Sequence, residues 1–408
     1  MINCYFDIPT NIDRKNVRGS SVHLLNTLLN ELIHAKEIHI SFFLFNNPYL
    51  QKFLEELSKK GCKIKIYSIP LSGYDQKKST LYVNKKSSVY ESKLDYGQKI
   101  YKRILRFPAI ELKIFPHTYV WHKQKTSRGR NSYSLHNKSI LAVFPEETKC
   151  ISTSCNFALG DPAHSENMLV ISNDNSTIQM FRDYFSLLDS WSINYKNYVD
   201  DNNHTYVVTP SILDPDKYSN CYFTAPFIKY KEIGSNHYVQ NKIIDYILNA
   251  KKRIYICGQH VSDINSFDKN SKSIVDSIIN KASTPSIDIK ILKQTLSSHQ
   301  KQGTRNVEAE KAMKKFSSIS QRFNHPLIHD KFIVVDNILI VTTANFTSTQ
   351  FAWAEKYSMK YLLDSGEEEV IINTFSEINS FHFIEDQNSV NLYLNHFNKL
   401  WDKANAIL

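Results

Sequence analysis

The chain has 408 residues, enough for two or three domains with proper apolar cores at roughly 100–200 residues each. Hydrophobic residues make up 42% and charged residues 22%, an ordinary globular mixture that excludes a disordered, collagenous or coiled-coil chain. Fifty Lys and Arg against 40 Asp and Glu leave a formal net charge of +10, which points to a polyanionic partner.

The N-terminus runs from Met1 to Asp7 and Asp13 without a basic start followed by an apolar core, so no secretory signal is read and the expected address is the cytoplasm. The longest apolar runs, such as Ile40 to Phe45 and Ile338 to Val341, fall far short of the roughly 18–20 residues of a membrane span. Ala35 to Ile40 leaves a helix-like run and enters a strand-like one. Tyr49 to Leu57 reads as a helix, Gly61 as its stop, and Cys62 to Tyr67 as an alternating strand. Residues 77–130 then hold fourteen Lys or Arg and only three acids, interleaved with rings such as Tyr82, Tyr101, Phe115 and Trp121. This segment reads as a basic insertion whose cations and rings suit a polyanion, or as a plain solvated surface.

His136 to Phe144 forms a strand pattern, Pro145-Glu146-Glu147 turns, and Cys150 to Phe157 runs back. Met180 to Trp191 closes the first half as a helix, and Asp200 to Asn203 with the Pro210–Pro215 region reads as a linker. The expected division is therefore 1–205 and 206–408. The second half repeats the order. Ile243 to Leu248 is helix-like, Arg253 to Cys257 strand-like, Ser273 to Ala282 helix-like, and Ile287 to Leu292 alternates. His329 to Val335 and Ile338 to Phe346 form a second hairpin around Asp336-Asn337, and Leu392 to Trp401 is the closing helix. Strand, helix, strand in each half implies parallel sheet with covering helices, an α/β fold. Six scattered cysteines without a CxxC read as reduced thiols, and no metal site is expected.

The chemistry lies in the two hairpins. Each opens with His-x-Lys (His136 and Lys138; His329 and Lys331) and returns through Thr-[Ser/Thr]-x-Asn-Phe (Thr153 to Phe157; Thr342 to Phe346). From Ile151 to Glu166 and Ile340 to Glu355 the copies keep one offset, matching Asn156 with Asn345 and Glu166 with Glu355. A lone His-x-Lys carries no weight among 15 histidines, and His34-Ala35-Lys36 and His299-Gln300-Lys301 lack the other elements. On a strand, residues i and i+2 share a face, so each His and Lys should project together, with the Asn brought alongside by the partner strand. Imidazole, ammonium and carboxamide suit a phosphoryl group: one His attacks phosphorus, the other protonates the leaving oxygen, and the cations and amides bind the non-bridging oxygens.

This arrangement resembles the phospholipase D superfamily, whose motif is H-x-K-x4-D followed by G/S/T-x-N. His329, Lys331, Asp336 and Asn345 match it in full; in the first copy Val143 replaces the Asp, a departure shared with members resembling tyrosyl-DNA phosphodiesterases. The resemblance implies two phospholipase D-like α/β/α repeats, packed as a pseudo-twofold pair with the active site at their interface. It implies a metal-independent phosphodiesterase without cofactor, with His136 as the nucleophile forming a phosphohistidine and His329 as the acid. By the same analogy Glu166 and Glu355 orient imidazoles, while Asp336 is a structural turn residue. The basic segment favours nucleic acid as substrate, DNA ahead of RNA, with Lys123, Lys125, Arg128 and Arg130 gripping flanking phosphates. A phospholipid substrate at an anionic membrane surface and a catalytically silent nucleic-acid-binding relative are the alternatives. His260, just past its strand, stands at the level of Leu44 in the first copy and reads as a structural histidine or as the edge of the pocket.

Overall fold

A computed structural model describes residues 1–9, 21–43, 45–69, 97, 99–115, 132–159, 164–197, 209–264, 272–284, 287–294, 304–324, 327–351, 357–362, 368–373 and 375–406. The chain divides into two compact units, Met1–Thr118 with Leu135–Tyr206, and Tyr119–Ser134 with Val207–Leu408.

The first unit contains β1 (Ile2–Asp7), α1 (Val22–Leu32), β2 (Glu37–Phe42), α2 (Pro48–Lys59), β3 (Lys63–Ser68) and β4 (Ile110–Ile114). It continues with β5 (Lys138–Val143), β6 (Thr148–Thr153), β7 (His164–Ser172), α3 (Asn175–Ser190) and β8 (Ile193–Asn194). Within this unit the strands follow the order β1-β7-β6-β5-β2-β3-β4-β8. The second unit contains β9 (Cys221–Thr224), α4 (Ser235–Asn249), β10 (Arg253–Gly258), α5 (Ile274–Ala282), β11 (Asp288–Gln294), α6 (Thr304–Lys314) and β12 (Ile319–Asn324). It is completed by β13 (Lys331–Val335), β14 (Ile338–Thr342), α7 (Ser348–Phe351), β15 (Asn379–Ile384), α8 (Gln387–Lys403) and β16 (Asn405–Ala406). Its sheet order, β9-β15-β14-β13-β10-β11-β12-β16, is the first order element for element.

Each sheet is mixed. β2, β3 and β4 are parallel, as are β10, β11 and β12, because a helix returns the chain over the sheet between them. The motif hairpins, β5–β6 and β13–β14, pair antiparallel, as does each central junction, β2–β5 and β10–β13. The expectation of a parallel sheet thus holds for one half of each sheet. The other half is antiparallel, and in its motif hairpins a connection of a few residues permits nothing else. β7 and β13, each paired on both sides, are buried on both faces at every residue, so alternation disappears there.

The described stretch of the basic segment is not all insertion: part of it is core. Ile110-Glu111-Leu112-Lys113-Ile114 is β4, with its isoleucines and leucine inside and Lys113 set 2.8 Å from Asp189. Arg103 likewise meets Glu55 at 3.2 Å, so part of that charge is locally compensated. Among the described residues no helix is long and apolar enough to cross a membrane.

Helix ends follow side-chain chemistry. Asn47 caps α2 by accepting from the N–H groups of Tyr49 and Leu50, with Pro48 as the first helical residue, and Gly61 follows its end at φ +90°. Asp174 caps α3 and Asp386 caps α8. Asp386 accepts from the Ser389 backbone N–H and hydroxyl at 2.8 Å each, and these bonds hold its carboxyl below its usual range. Its stabilisation is complete at neutral pH and fades as pH falls through that lowered value. Asp386→Ala should cost about 1 kcal/mol in urea unfolding at pH 7, with the difference from the parent shrinking in acid.

Candidate active site

The two histidine motifs share one local structure. His136 and His329 stand just ahead of their strands, which begin at Lys138 and Lys331, so the expected in-strand placement is shifted by two residues. Each lysine folds back instead: the Lys138 ammonium donates to the His136 carbonyl at 2.5 Å, and that of Lys331 to the His329 carbonyl at 2.8 Å. Both lysines are buried, at 1% and 0% exposure, and His329 is 5% exposed, while His136 is partly exposed and packs near Phe43. A buried ammonium is a favourable place for an anion to dock.

Asn156 and Asn345 follow the return strands, which end at Thr153 and Thr342, rather than lying on them. The Thr hydroxyls cause this exit, since each accepts from the N–H two residues on, Cys155 at 3.1 Å and Ala344 at 3.0 Å. Among the described residues the side-chain oxygens of Asn156 and Asn345 are buried and accept no hydrogen bond, a matched pair of orphan acceptors.

The same threonines bind the next strand, Thr153 donating to the Asn167 carbonyl and Thr342 to the Ser380 carbonyl, at 2.8 and 2.7 Å. One residue on, the Ser154 hydroxyl reaches the Glu166 carboxylate at 2.5 Å and the Thr343 hydroxyl reaches the Asn379 carboxamide oxygen at 2.8 Å. The position equivalent to Glu166 in the second fold repeat is therefore Asn379, on β15, and not Glu355. The constant offset breaks because the second unit inserts α7 and the strand pair Tyr357–Leu362 and Glu368–Asn373 before β15. Glu166 is fully buried, with His164 Nδ1 3.8 Å away; Asn379 donates to Gln350 at 2.5 Å, which in turn donates to Thr224. Neither Asn379 nor Gln350 carries a sequence signal, because their partners are distant in the chain. Glu355, Lys123, Lys125, Arg128 and Arg130 lie outside the described residues.

Asp336 sits at φ +51°, and its carboxylate accepts from the backbone N–H groups of Lys251, Lys252 and Arg253 at 2.7, 2.8 and 3.0 Å. Burial raises its pKa, but these three bonds outweigh burial and hold it below the usual carboxylate range. It clasps the start of β10 rather than facing the histidine motif. At Val143, the equivalent position, the backbone carbonyl accepts from Lys36 at 2.8 Å, so the first copy manages the same junction without a carboxylate.

The middle residue of each motif anchors it from behind. Asp330 is fully buried and meets His396 of α8 at 3.0 Å; Asn137, also fully buried, bonds Tyr184 of α3, whose hydroxyl burial pushes up to about 12. Tyr184 and His396 occupy the same turn of equivalent helices.

Residues 243–401 match the family described as cardiolipin synthase, PLD-like domain. The fold is similar to that of polyphosphate kinase from Porphyromonas gingivalis, with TM-score 0.55 and 9% identity over 98% of this chain and 50% of that one. It is similar also to phosphatidylserine synthase from Haemophilus influenzae, with TM-score 0.52 and 11% identity over 99% and 87% of the two chains. Yeast tyrosyl-DNA phosphodiesterase follows with TM-score 0.45 and 11% identity over 86% and 84%. At such identities the likeness is one of fold, and the chain spans half the length of the polyphosphate kinase it matches. No curated protein matches the sequence. Two repeats of one mixed sheet, each presenting a His-x-Lys hairpin at its centre, define a duplicated scaffold. Residues 243–401, most of the second unit, are thus similar to a PLD-like domain.

The anchor pairs generate a test. His396→Leu leaves the Asp330 carboxylate buried without its partner and should cost about 3–5 kcal/mol in denaturant unfolding. The double change Asp330→Asn with His396→Tyr, which installs the first repeat's pair, should recover most of that loss.

Proposed function

We propose that the protein is a metal-independent phosphodiesterase acting on nucleic acid, DNA ahead of RNA, through a covalent phosphohistidine. The observation that carries this reading is the duplicated lysine-to-histidine-carbonyl bond, which gives both copies the same anion-ready half-site. In the proposed cycle both half-sites act on one phosphodiester. The His136 imidazole forms the N–P bond as the P–O bond to the leaving alcohol breaks, and His329 supplies that oxygen's proton. Water then attacks phosphorus, giving its proton back to His329 and releasing His136. Lys138, Lys331, Asn156 and Asn345 bind the non-bridging oxygens, the work a divalent metal does elsewhere. Glu166 and Glu355 are the carboxylates proposed to hold imidazole tautomers, and Lys123, Lys125, Arg128 and Arg130 to grip flanking phosphates. The surplus of cations interleaved with rings in residues 77–130 supports nucleic acid as the partner.

The matched family's description favours a second reading, transfer or hydrolysis at a phospholipid headgroup. Purified protein offered labelled single-stranded DNA, duplex DNA, RNA and anionic liposomes separates the two. Nucleic-acid cleavage that persists in excess chelator is expected; headgroup release alone would move the assignment to lipid. His136→Ala and His329→Ala should each lower turnover roughly a thousandfold or more with binding nearly intact, and denaturing alkaline quenching, which spares the acid-labile N–P bond, should trap an N-phosphorylated protein. Loss of turnover in only one variant would break the two-histidine scheme.

A further inference from the structure

The second unit carries cationic chemistry beside its motif that the first lacks. Across its sheet Gly258 is the register partner of Lys331 on β13 and of Lys293 on β11, so the two lysines project on one face, two strand spacings or about 10 Å apart. Between them stands no side chain of the sheet. The ring of Phe346, next to Asn345, lies on Gly258 so closely that a Cβ there would fall 2.9 Å from its Cδ2. The Phe346 N–H donates to the His260 carbonyl at 3.1 Å, which ties His260 to the same turn. Both lysines bear on the His260 ring, which burial first, then Lys331 and Lys293, pushes down to about 4, so at neutral pH it is an uncharged hydrogen-bonding group.

In the first unit the equivalent row is uncharged beyond the motif. Lys138 pairs with Phe42, and the pairing of Ser41 with Tyr67 sets Ser68 next in line. Lys293 is thus an added cation, only 8% exposed. Its ammonium meets Glu310 of α6 at 2.6 Å, yet burial outweighs that carboxylate and, with Lys314 adding to it, holds Lys293 below its ordinary range. A buried cation that its own partner compensates incompletely gains stability when an anion docks against it.

We propose that Lys293 and His260 form a subsite, beside Lys331, for a second phosphate group of the substrate, with Glu310 as the counter-charge that limits its affinity. This rests on the phosphodiesterase reading and narrows the substrate to one with phosphates on both sides of the group between them, as in a polynucleotide.

The test compares two chromogenic esters: thymidine 5′-(p-nitrophenyl phosphate) and the same compound bearing a 3′-phosphate. The full chain should favour the doubly phosphorylated ester in kcat/KM by about tenfold or more. Lys293→Met should bring that ratio towards one, and Glu310→Gln should raise it. A structural ion pair makes the opposite prediction for Glu310→Gln, with both rates falling together as the fold loosens. Because the two variants must move the ratio in opposite directions, misfolding of one cannot imitate the result. Equal kcat/KM values in the parent, or an equal fall on both esters in Lys293→Met, would overturn the subsite and leave the phosphodiesterase reading standing. Hydrolysis of neither ester, nor of any nucleic acid, would sink both.

Discussion

A lysine ammonium buried at the head of a central strand is the constraint around which each repeat is organised. Taking such a charge out of water costs several kcal/mol unless it is met by well-placed acceptors. At Lys138 and Lys331 one acceptor is the carbonyl of the residue two positions earlier, the motif histidine itself. The His-x-Lys spacing is therefore a geometric requirement of this back-folded bond as well as a matter of strand faces. It also ties each ammonium to the backbone of its motif histidine. The centre of a mixed sheet is a suitable place for this, with β2 and β6, or β10 and β14, holding the motif strand on both edges.

Around this shared frame the repeats have diverged in their chemistry. Thr, hydroxyl residue and backbone bonds recur atom for atom at the end of each return strand, which marks them as scaffold. The groups they carry differ: a buried carboxylate at Glu166 against a carboxamide at Asn379, and Asn137 with Tyr184 against Asp330 with His396. Phe42 and Ser68 stand against Gly258 and Lys293. A duplicated fold with Glu166 in one copy and Lys293 in the other has the asymmetry that unequal roles for two imidazoles would need.

Much of this was legible from local pattern. The hairpins, the parallel strand pairs and the closing helices announce themselves because strands and helices impress periods of two and 3.6 on apolar residues. The motif histidines and lysines were legible because they repeat with their return strands. β4 is masked in the sequence although Ile110 to Ile114 alternates cleanly, since the surrounding positive charge reads as an insertion. Asp330 gives no sequence signal, because it is the unspecified middle of the motif and its partner His396 lies 66 residues away. The pairing of Glu166 with Glu355 followed sequence offset, which counts residues, whereas strand pairing skips whatever is inserted between strands.

What the sequence by itself determined is the duplication and the chemical class of its hairpins, because identity and spacing within one hairpin are local and survive without knowledge of the fold. Only the tertiary structure decided which residue answers Glu166 in the second repeat, what Asp336 clasps, and that Lys293 stands in line with Lys331. These relations run across neighbouring strands, where hydrogen-bond register, and not separation along the chain, sets which side chains meet.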